Sequence, residues 1–397
     1  MKSWKRVADP ANAALIERAA DVKPGDLRGI ARLRKHGDAE LVRIAIELAS
    51  ARRKAAVKMP GRASTLVADP AGVEMASSSA VAAWKAARFA RCARPDRVLD
   101  LCCGIGGDAI ELTEAGLRVV AVDQDETRAW MCAENAACET RAAAMASVGV
   151  DAADLVHVDP SRRDGAGRRR SRMTDMTPPP EAVAAVIAEA GGGCVKLAPG
   201  WDPFELLVFG GDPRRPSEAE WISERGSLMQ GLLWTGSLAE ASGTHRATRI
   251  GPGGAETIRG ERGFPRVVAS VDAIVYTPDP ALERAKLVHV LAERHSLAAL
   301  GHEYAGLLTG DGPPAAACDD GWLTAFRVCD RMTWSEKAVR AWLRGNDGGH
   351  VTVKTRGGVV DPDPLQKRLR GAGSTSYVVF VQRLGSQIEA LVTQRFT

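Results

Sequence analysis

The chain has 397 residues, a length that accommodates one to three domains. Hydrophobic residues make up 45% of it, enough for ordinary globular cores, and no run of about 18 apolar residues offers a membrane span. The net charge is only +4, yet residues 28–62 carry ten Lys and Arg against three acids, and residues 162–172 carry six Arg against one. Such clusters are typical of a surface for a polyanion, or of a solvated helix face and loop.

Eight cysteines are spread along the chain, and none of them forms a CxxC pair. Several lie within apolar segments, so we expect reduced thiols in a cytoplasmic protein, with neither a disulfide framework nor a metal site. The opening segment MKSWKRVADP has no apolar core, and no signal peptide is expected. Nothing in the sequence argues for self-association, so a monomer is expected.

The first 90 residues predict a helical module. Residues 39–58 place apolar residues at three- and four-residue spacing with basic residues on the other faces, and residues 77–92 return to a helical pattern. From Arg97 onward, the short apolar runs RVLDLC, LRVVAVD, ADLVHVDP and GCVKLAPG alternate with helical segments. This alternation predicts a mostly parallel, doubly wound α/β sheet.

The remainder of the chain predicts a hairpin and a smaller α/β domain. AEWISER and SLMQGLLWTG follow each other closely and predict a late antiparallel hairpin. The Gly-rich, polar residues 250–266 predict a domain boundary near residue 255 or a long loop. Helical and strand patterns mix beyond that point. The expected domains are residues 1–90, 91–255 and 256–397.

A glycine-rich turn, DLCCGIGGDA, follows the first predicted strand. Gly104, Gly106 and Ala109 fit G-x-G-x-x-A, and Asp123 stands where a dinucleotide site places its ribose-binding acid. Asp100 argues against a dinucleotide, because a carboxylate beside the turn would repel a diphosphate. The same carboxylate suits a ligand with an ammonium and a sulfonium group.

A second motif, DPSRR, ends the fourth predicted strand with Asp159 and Pro160. The carboxyl ends of strands in open α/β sheets face the ligand crevice. A carboxylate and a backbone carbonyl placed there can accept hydrogen bonds from an amine and direct its lone pair towards a methyl group. Arg162 and Arg163 follow, and a guanidinium can stack on a base or clamp a phosphate. A strand-end turn or helix cap is the simpler interpretation of Asp159.

The stretch from Arg97 to Glu126 resembles motifs I and II of the class I S-adenosylmethionine-dependent methyltransferases, with Cys102 in place of that family's first glycine. The resemblance implies S-adenosylmethionine as the cofactor and no metal. Family members often have a further acid at the adenine, for which Asp151 and Asp154 are candidates without a clear placement. The implied cofactor-binding residues are Asp100, Cys102, Gly104, Gly106, Asp123 and Gln124.

Within that family, the end of the fourth strand distinguishes acceptor chemistries. Members that methylate exocyclic amines carry Asn or Asp, two prolines and an aromatic residue there, and Asp159 and Pro160 match while arginines replace the aromatic residue. The uracil-C5 branch needs a nucleophilic Cys at the end of the fifth strand. Here that end begins at Lys196, and Cys194 lies several residues too early, which disfavours uracil-C5 chemistry.

Across the whole chain, VDPSRR, VKLAPG, AEWISE and HVTVKTRG resemble bacterial class I methyltransferases with a C-terminal THUMP-like domain. The resemblance implies a Rossmann-like methyltransferase sheet, a helical N-terminal module and a smaller C-terminal α/β domain. It also implies methyl transfer to a nitrogen of a base in structured RNA, tRNA or rRNA. Basic residues within 354–370 fit a phosphate-binding patch.

Specific roles follow from this resemblance. Asp159 and the Pro160 carbonyl would orient the acceptor, while Arg162, Arg163 and Lys196 would contact the substrate. Two alternatives stay open: a methyltransferase for a small metabolite, and a non-catalytic RNA-binding protein that retains the fold.

Overall fold

The computed structural model describes the chain except for residues 24, 93–96, 163–171, 213, 302–305, 313–316, 357, 385 and 397. The chain divides into two compact units. The first consists of Met1–Glu220 and Gln230–Gly243, and the second of Trp221–Met229 and Thr244–Thr397. The division into three domains that we predicted from the sequence stays a prediction.

Helices open the first unit, as the apolar spacing predicts. Their bounds are α1 (Lys2–Ala8), α2 (Ala13–Ala20), α3 (Leu27–Leu33), α4 (Ala39–Lys58), α5 (Pro70–Met75) and α6 (Ser79–Ala90). Helix α4 begins where it does because the Asp38 side chain accepts a hydrogen bond from the backbone N–H of Leu41 at 2.9 Å. The apolar faces of these helices enclose a core that also contains Ile105 and Met131. The helices therefore pack against the glycine-rich turn, through Ile105, and against the helix that contains Met131 and follows the second strand.

The alternating segment forms the predicted doubly wound sheet. Its elements are β1 (Val98–Leu101), α7 (Gly107–Glu114), β2 (Val119–Asp123), α8 (Glu126–Asn135), β3 (Glu139–Ala142), β4 (Leu155–Val158), α9 (Pro180–Glu189), β5 (Gly192–Leu197), β6 (Ser217–Glu224) and β7 (Ser227–Gly236). These strands lie in the order β3-β2-β1-β4-β5-β7-β6. Strands β1 to β5 are parallel, and β7 runs antiparallel to β5. The order reverses between β1 and β4, which is where open α/β sheets bind ligands.

Within the described residues, the second unit contains a separate sheet of eight strands. The helices and strands of this unit are β8 (His245–Gly251), β9 (Gly254–Gly260), β10 (Val267–Val268), β11 (Ile274–Pro278), α10 (Pro280–Arg284), α11 (Val288–Arg294), β12 (Ala298–Leu300), β13 (Leu308–Gly310), β14 (Leu323–Thr333), α12 (Glu336–Gly345), β15 (Gly348–Thr355), α13 (Pro362–Leu369), β16 (Thr375–Leu384) and β17 (Gln387–Arg395). Strands β10 to β17 pair in the order β10-β12-β13-β11-β14-β17-β16-β15. No helix within the described ranges combines the length and apolar character that crossing a membrane requires.

One sequence expectation fails in this unit. The long-loop interpretation of residues 250–266 is wrong, because strand β9 (Gly254–Gly260) lies within that stretch and pairs with β8. The pairing of Gly251 with Gly254 leaves a two-residue turn, Pro252-Gly253, between the strands. Most of β9 is at least partly exposed. Its polar composition therefore hid the alternation that normally predicts a strand.

Helix α6 is joined to β6, β7 and the segment after β7 by buried polar contacts. The Arg88 guanidinium is ion-paired with Glu218, donates to the Leu238 carbonyl at 2.8 Å, and lies 4.2 Å from the ring centroid of Trp234. The side chains of Arg88 and Glu218 are 3% and 0% exposed. Removing one member of such a buried pair leaves the other charge without its main compensation.

We therefore expect Arg88→Ala to lower the free energy of unfolding by about 3–5 kcal/mol. The control is Arg91→Ala, because Arg91 pairs with Glu240 from a position that is 54% exposed. That exposed pair should contribute no more than about 1 kcal/mol to the free energy of unfolding. Urea denaturation followed by tryptophan fluorescence measures both variants, and equal losses would contradict the buried-pair argument.

Candidate active site

The carboxyl ends of β1, β2, β4 and β5 converge on the glycine-rich turn. The backbone N–H of Gly104 donates to Asp123 at the end of β2 at 2.9 Å. The backbone N–H of Asp159, just after β4, donates to the Leu101 carbonyl of β1 at 3.1 Å. Lys196 of β5 forms an ion pair with Asp159 at 2.6 Å. The structure thus brings together the residues predicted from three separate motifs.

The turn requires left-handed backbone at several positions. Cys102, Gly104 and Gly106 have φ angles of 60°, 56° and 85°. A residue with a side chain, such as Cys102, bears a cost on the order of 1–2 kcal/mol in this conformation. This explains why the family pattern has glycine at that position. A Cβ at Gly104 would meet no atom within 4 Å, whereas a Cβ at Gly106 would lie 2.8 Å from the Cys132 Sγ.

Asp123 is oriented by backbone donors. Its two carboxylate oxygens accept hydrogen bonds from the N–H groups of Gly104 and Asp125, each at 2.9 Å. Each oxygen retains a lone pair that a ribose hydroxyl can use. Burial raises the pKa of Asp123, although these two hydrogen bonds oppose the rise. Gln124 follows as an exposed residue beyond the strand.

Asp100 is buried in β1 and only partly satisfied. Its Oδ1 contacts His157 Nδ1 at 2.7 Å, while its Oδ2 has no hydrogen-bond partner among the described residues. Burial raises the pKa of Asp100, and the hydrogen bond from His157 opposes this shift. An orphaned carboxylate oxygen beside the glycine turn fits a ligand that brings an ammonium group.

The Lys85 ammonium organises this buried layer. It lies 2.5 Å from Asp108, 3.1 Å from the Ser77 hydroxyl and 3.1 Å from His157 Nε2. Because the ammonium is a donor only, Nε2 must accept, and the proton on Nδ1 is then donated to Asp100. Burial disfavours the charge on Lys85, but the charge and hydrogen bond of Asp108, together with the effects of Cys194 and Asp159, outweigh burial and raise the pKa of Lys85. Lys85 in turn holds the pKa of Asp108 well below its usual range despite burial.

Carboxylates outnumber cations around the turn. Among the described residues, the carboxylates of Asp100, Asp108, Asp123 and Asp159 are opposed by the ammonium groups of Lys85 and Lys196 and, for Asp123, by the charge of Arg128. Burial raises the pKa of the Cys102 thiol, and the carboxylates of Asp123, Asp159 and Asp100 raise it further. The surroundings are therefore acidic, which suits a ligand with sulfonium and ammonium groups and opposes a diphosphate.

The remaining predicted residues fall in different places. Pro160 is buried beside Asp159, and Arg162 is partly buried, whereas Arg163 lies outside the described residues. Asp154 precedes β4 at the opposite edge of the sheet and pairs with Arg97 at 2.6 Å, so it is not placed to contact the cofactor.

Cys194 is fully buried in β5. Burial raises the pKa of its thiol. This agrees with the sequence argument against a nucleophilic cysteine at this strand end.

Sequence reasoning missed the buried layer of Ser77, Lys85, Asp108 and His157. The available signals were weak: a histidine inside an apolar strand, and a lysine inside an apolar helix. Both residues are polar, yet the helical and strand periods place their side chains in the buried interior. Their hydrogen-bond partners lie on other helices and strands, so the sequence alone does not reveal them.

The strand order, the glycine turn and the acidic strand ends define a class: a Rossmann-like protein that binds a cationic nucleoside. Comparisons identify the family. Residues 323–395 match the family model described as THUMP domain-like, and residues 95–162 match that described as RNA cap guanine-N2 methyltransferase. The chain is 31% identical over 363 residues to an uncharacterized S-adenosylmethionine-dependent methyltransferase of Mycobacterium tuberculosis, found in two strains, covering 86% of this chain and 92% of the relative.

A crystal structure of a Porphyromonas gingivalis protein assigned as a methyltransferase shares the fold, with a TM-score of 0.72 at 17% identity, covering 98% of this chain and 99% of that one. The chain belongs to the S-adenosylmethionine-dependent methyltransferases, with a THUMP-like domain in its C-terminal part. S-adenosylmethionine is its cofactor. The unpartnered Asp100 oxygen, the oriented Asp123 carboxylate and the open space at Gly104 all fit this cofactor.

The two glycines of the turn should respond differently to substitution. Gly104→Ala should weaken cofactor binding about tenfold or more, at a stability cost of about 1–2 kcal/mol for the left-handed backbone. Gly106→Ala should cost more stability, because the added methyl also collides with Cys132. Calorimetry and thermal unfolding separate the two effects. Equal loss of stability in both variants would contradict the packing difference.

Cofactor affinity should fall on acidification, starting at a higher pH than ordinary carboxyl groups would give. The pKa values of Asp100 and Asp123 are both raised, and only their carboxylate forms attract an ammonium or accept from ribose hydroxyls. The affinity is thus present above these raised pKa values and lost as the pH falls through them. Calorimetry from neutral to mildly acidic pH tests this, with Asp100→Asn as the variant that should bind more weakly and titrate less steeply. An unchanged cofactor affinity across that pH range would show that the carboxylates of Asp100 and Asp123 do not determine cofactor binding.

Proposed function

We propose that this methyltransferase acts on a nitrogen of a base in structured RNA, either tRNA or rRNA. The observation that carries the proposal is the Asp159–Pro160 pair at the carboxyl end of β4, hydrogen-bonded to the strand that leads into the glycine turn. This pair lies within the segment that matches the RNA cap guanine-N2 methyltransferase model. The THUMP-like match supports RNA over a small metabolite as the acceptor. A monomeric protein without a metal stays our expectation.

In this proposal the first motif holds the cofactor. S-adenosylmethionine, when bound, supplies a methyl group that its sulfonium makes electrophilic. Asp100 accepts from the ammonium group of the ligand, and His157 keeps the Asp100 carboxylate turned towards it. Asp123 accepts from the ribose hydroxyls, and the turn from Cys102 to Gly106 lets the backbone approach closely. Gln124, exposed after β2, borders the same ligand.

The second motif positions the acceptor. Lys196 holds one oxygen of Asp159 at 2.6 Å and itself donates to the Met75 carbonyl at 2.8 Å, so the carboxylate has little freedom to turn. The other Asp159 oxygen and the Pro160 carbonyl then accept the two hydrogens of an exocyclic amine, which directs the nitrogen lone pair at the methyl group. The transfer would form one N–C bond and break the S–C bond of the methyl donor, and the nitrogen would release one proton to Asp159 or to solvent.

Two arginines complete the substrate side. Arg162 follows Pro160 directly, and Arg163 comes next in the sequence. A guanidinium at this place suits a base plane or a phosphate. A base within a duplex must be flipped out at a cost of a few kcal/mol, so a loop nucleotide is the favoured target. The name of the matching model makes guanine N2 the first acceptor to examine.

The test is transfer of tritiated methyl groups to total RNA from a strain that lacks this gene, with RNA from the intact strain as the control. Label should enter only the RNA from the deletion strain, and digestion to nucleosides then identifies the base. Absence of label from both RNAs, with cofactor binding confirmed, would point to a small-molecule acceptor or a non-catalytic binder.

Asp159→Ala should reduce methyl transfer by about 10²-fold or more, because orientation and proton acceptance are lost together. Its affinity for S-adenosylmethionine should remain within about twofold of the unsubstituted protein. Asp151→Asn is a suitable control, since Asp151 is exposed at the opposite edge of the sheet. An unchanged rate of methyl transfer by Asp159→Ala would contradict the role that the proposal gives to Asp159.

A further inference from the structure

A cavity of about 480 Å³ lies within the second unit. The turn between β6 and β7, the end of β8, the start of α10 and strands β15, β16 and β17 all contribute to its wall. Its size falls in the range of small-molecule and nucleotide sites. We term it the basic cavity after the cations in its lining, which are Arg225, Arg249, Lys354, Arg356 and Arg395.

The acids in the lining are already engaged. Glu283 is ion-paired with Arg356 at 2.5 Å. The Asp279 side chain is 7% exposed and caps helix α10 by accepting from the N–H of Ala281 at 2.8 Å. Arg249 has its own partner, Glu256, at 3.0 Å.

This leaves three lining cations, Arg225, Lys354 and Arg395, that have no acidic partner among the residues the structure describes. Lys354 is the clearest example, within the described residues, of a cation without a compensating negative charge. Its ammonium lies 5.2 Å from the ring centroid of Phe326 and 5.8 Å from that of Phe380. Burial lowers the pKa of Lys354, and the positive charges of Arg395 and Arg356 lower it further. A bound anion would relieve this repulsion.

The lining also contains hydrogen-bonding atoms without partners. Gln382 is 2% exposed, and its Nε2 has no hydrogen-bond partner in the described structure. The hydroxyl of Thr355 and the Nε of Arg249 are likewise unpartnered. Gln382 lies two residues from Phe380 on β16, so both side chains point to the same face of the sheet. Unsatisfied buried donors next to unpaired cations call for a ligand with several acceptor oxygens.

We propose that the basic cavity binds one nucleotide of the RNA substrate through its phosphate group. Arg225, Lys354 and Arg395 bind the phosphate oxygens, and Gln382 donates to an oxygen of the same nucleotide. The inference rests on the proposed function, since it takes RNA as the polyanion. Of the basic residues within 354–370, Lys354 and Arg356 line the cavity, whereas Arg368 is ion-paired with Glu336 at 3.1 Å.

The test compares two charge-matched double variants of the full-length chain. The cavity variant is Lys354→Gln with Arg395→Gln. The control is Lys337→Gln with Arg344→Gln, which removes two exposed cations of α12 outside the cavity. The probes are a fluorescein-labelled single-stranded RNA oligonucleotide of mixed sequence, adenosine monophosphate and inorganic phosphate. Thermal unfolding and S-adenosylmethionine affinity verify folding, and the cavity variant should be no less stable, because it relieves repulsion between cations.

We expect the cavity variant to bind the oligonucleotide about tenfold or more weakly, with a salt dependence reduced by about two phosphate contacts. The control should stay within about twofold of the unsubstituted protein, and the cavity variant alone should lose adenosine monophosphate binding. Equal weakening by both double variants would overturn the proposal, as would no oligonucleotide binding by the unsubstituted protein. Binding of inorganic phosphate without the oligonucleotide would show a small-anion site and also overturn it.

The methylation assay separates this inference from the proposed function. If the cavity variant binds the oligonucleotide more weakly but the unsubstituted protein transfers no methyl group to RNA, only the proposed function is contradicted. If the cavity variant methylates RNA with an unchanged KM and binds the oligonucleotide with unchanged affinity, only the cavity proposal is contradicted.

Discussion

The active site depends on one buried ammonium group, that of Lys85. Its three contacts join helix α6, the segment before it, the helix after the glycine turn and strand β4. Without this cation, Asp108 would be a buried, uncompensated charge, and His157 would lose the donor that fixes its tautomer. Because His157 in turn donates to Asp100, the carboxylate that we propose faces the cofactor, the orientation of Asp100 depends on a residue that lies 13 positions before β1. The N-terminal helices are thus part of the site.

The same balance of charge distinguishes this site from a dinucleotide site on a similar fold. A pyrophosphate needs free N–H groups and a positive surround, and acidic strand ends oppose it. Here the strand ends carry Asp100, Asp123 and Asp159, and their charges add to the effect of burial in raising the pKa of the Cys102 thiol. The antiparallel strand β7, inserted beside β5, is a second departure from the all-parallel dinucleotide fold. Electrostatics and topology agree on a sulfonium cofactor.

The two units of the chain carry opposite local fields. The first presents carboxylates around the glycine turn, whereas the second presents cations around the basic cavity. Methyl transfer needs a cationic cofactor, which the carboxylates suit, and the RNA acceptor that we propose would bring phosphates, which the cations suit. The net charge of +4 for the whole chain does not reveal this difference between the two sites. Local charge, not the sum, bears on function.

Local pattern was enough to predict the parallel sheet, the late hairpin, the cofactor motif and the strand-end positions of Asp100, Asp123 and Asp159, because alternation and glycine spacing are local properties of a chain. Local pattern could not find strand β9, whose polar composition hides its alternation. Only the tertiary structure decided that Lys196 restrains Asp159, that Lys85 and His157 support Asp100, and that Lys354 and Arg395 share a cavity. Those contacts join residues distant in sequence, and their existence depends on which strand ends and helix faces the fold brings within hydrogen-bonding distance.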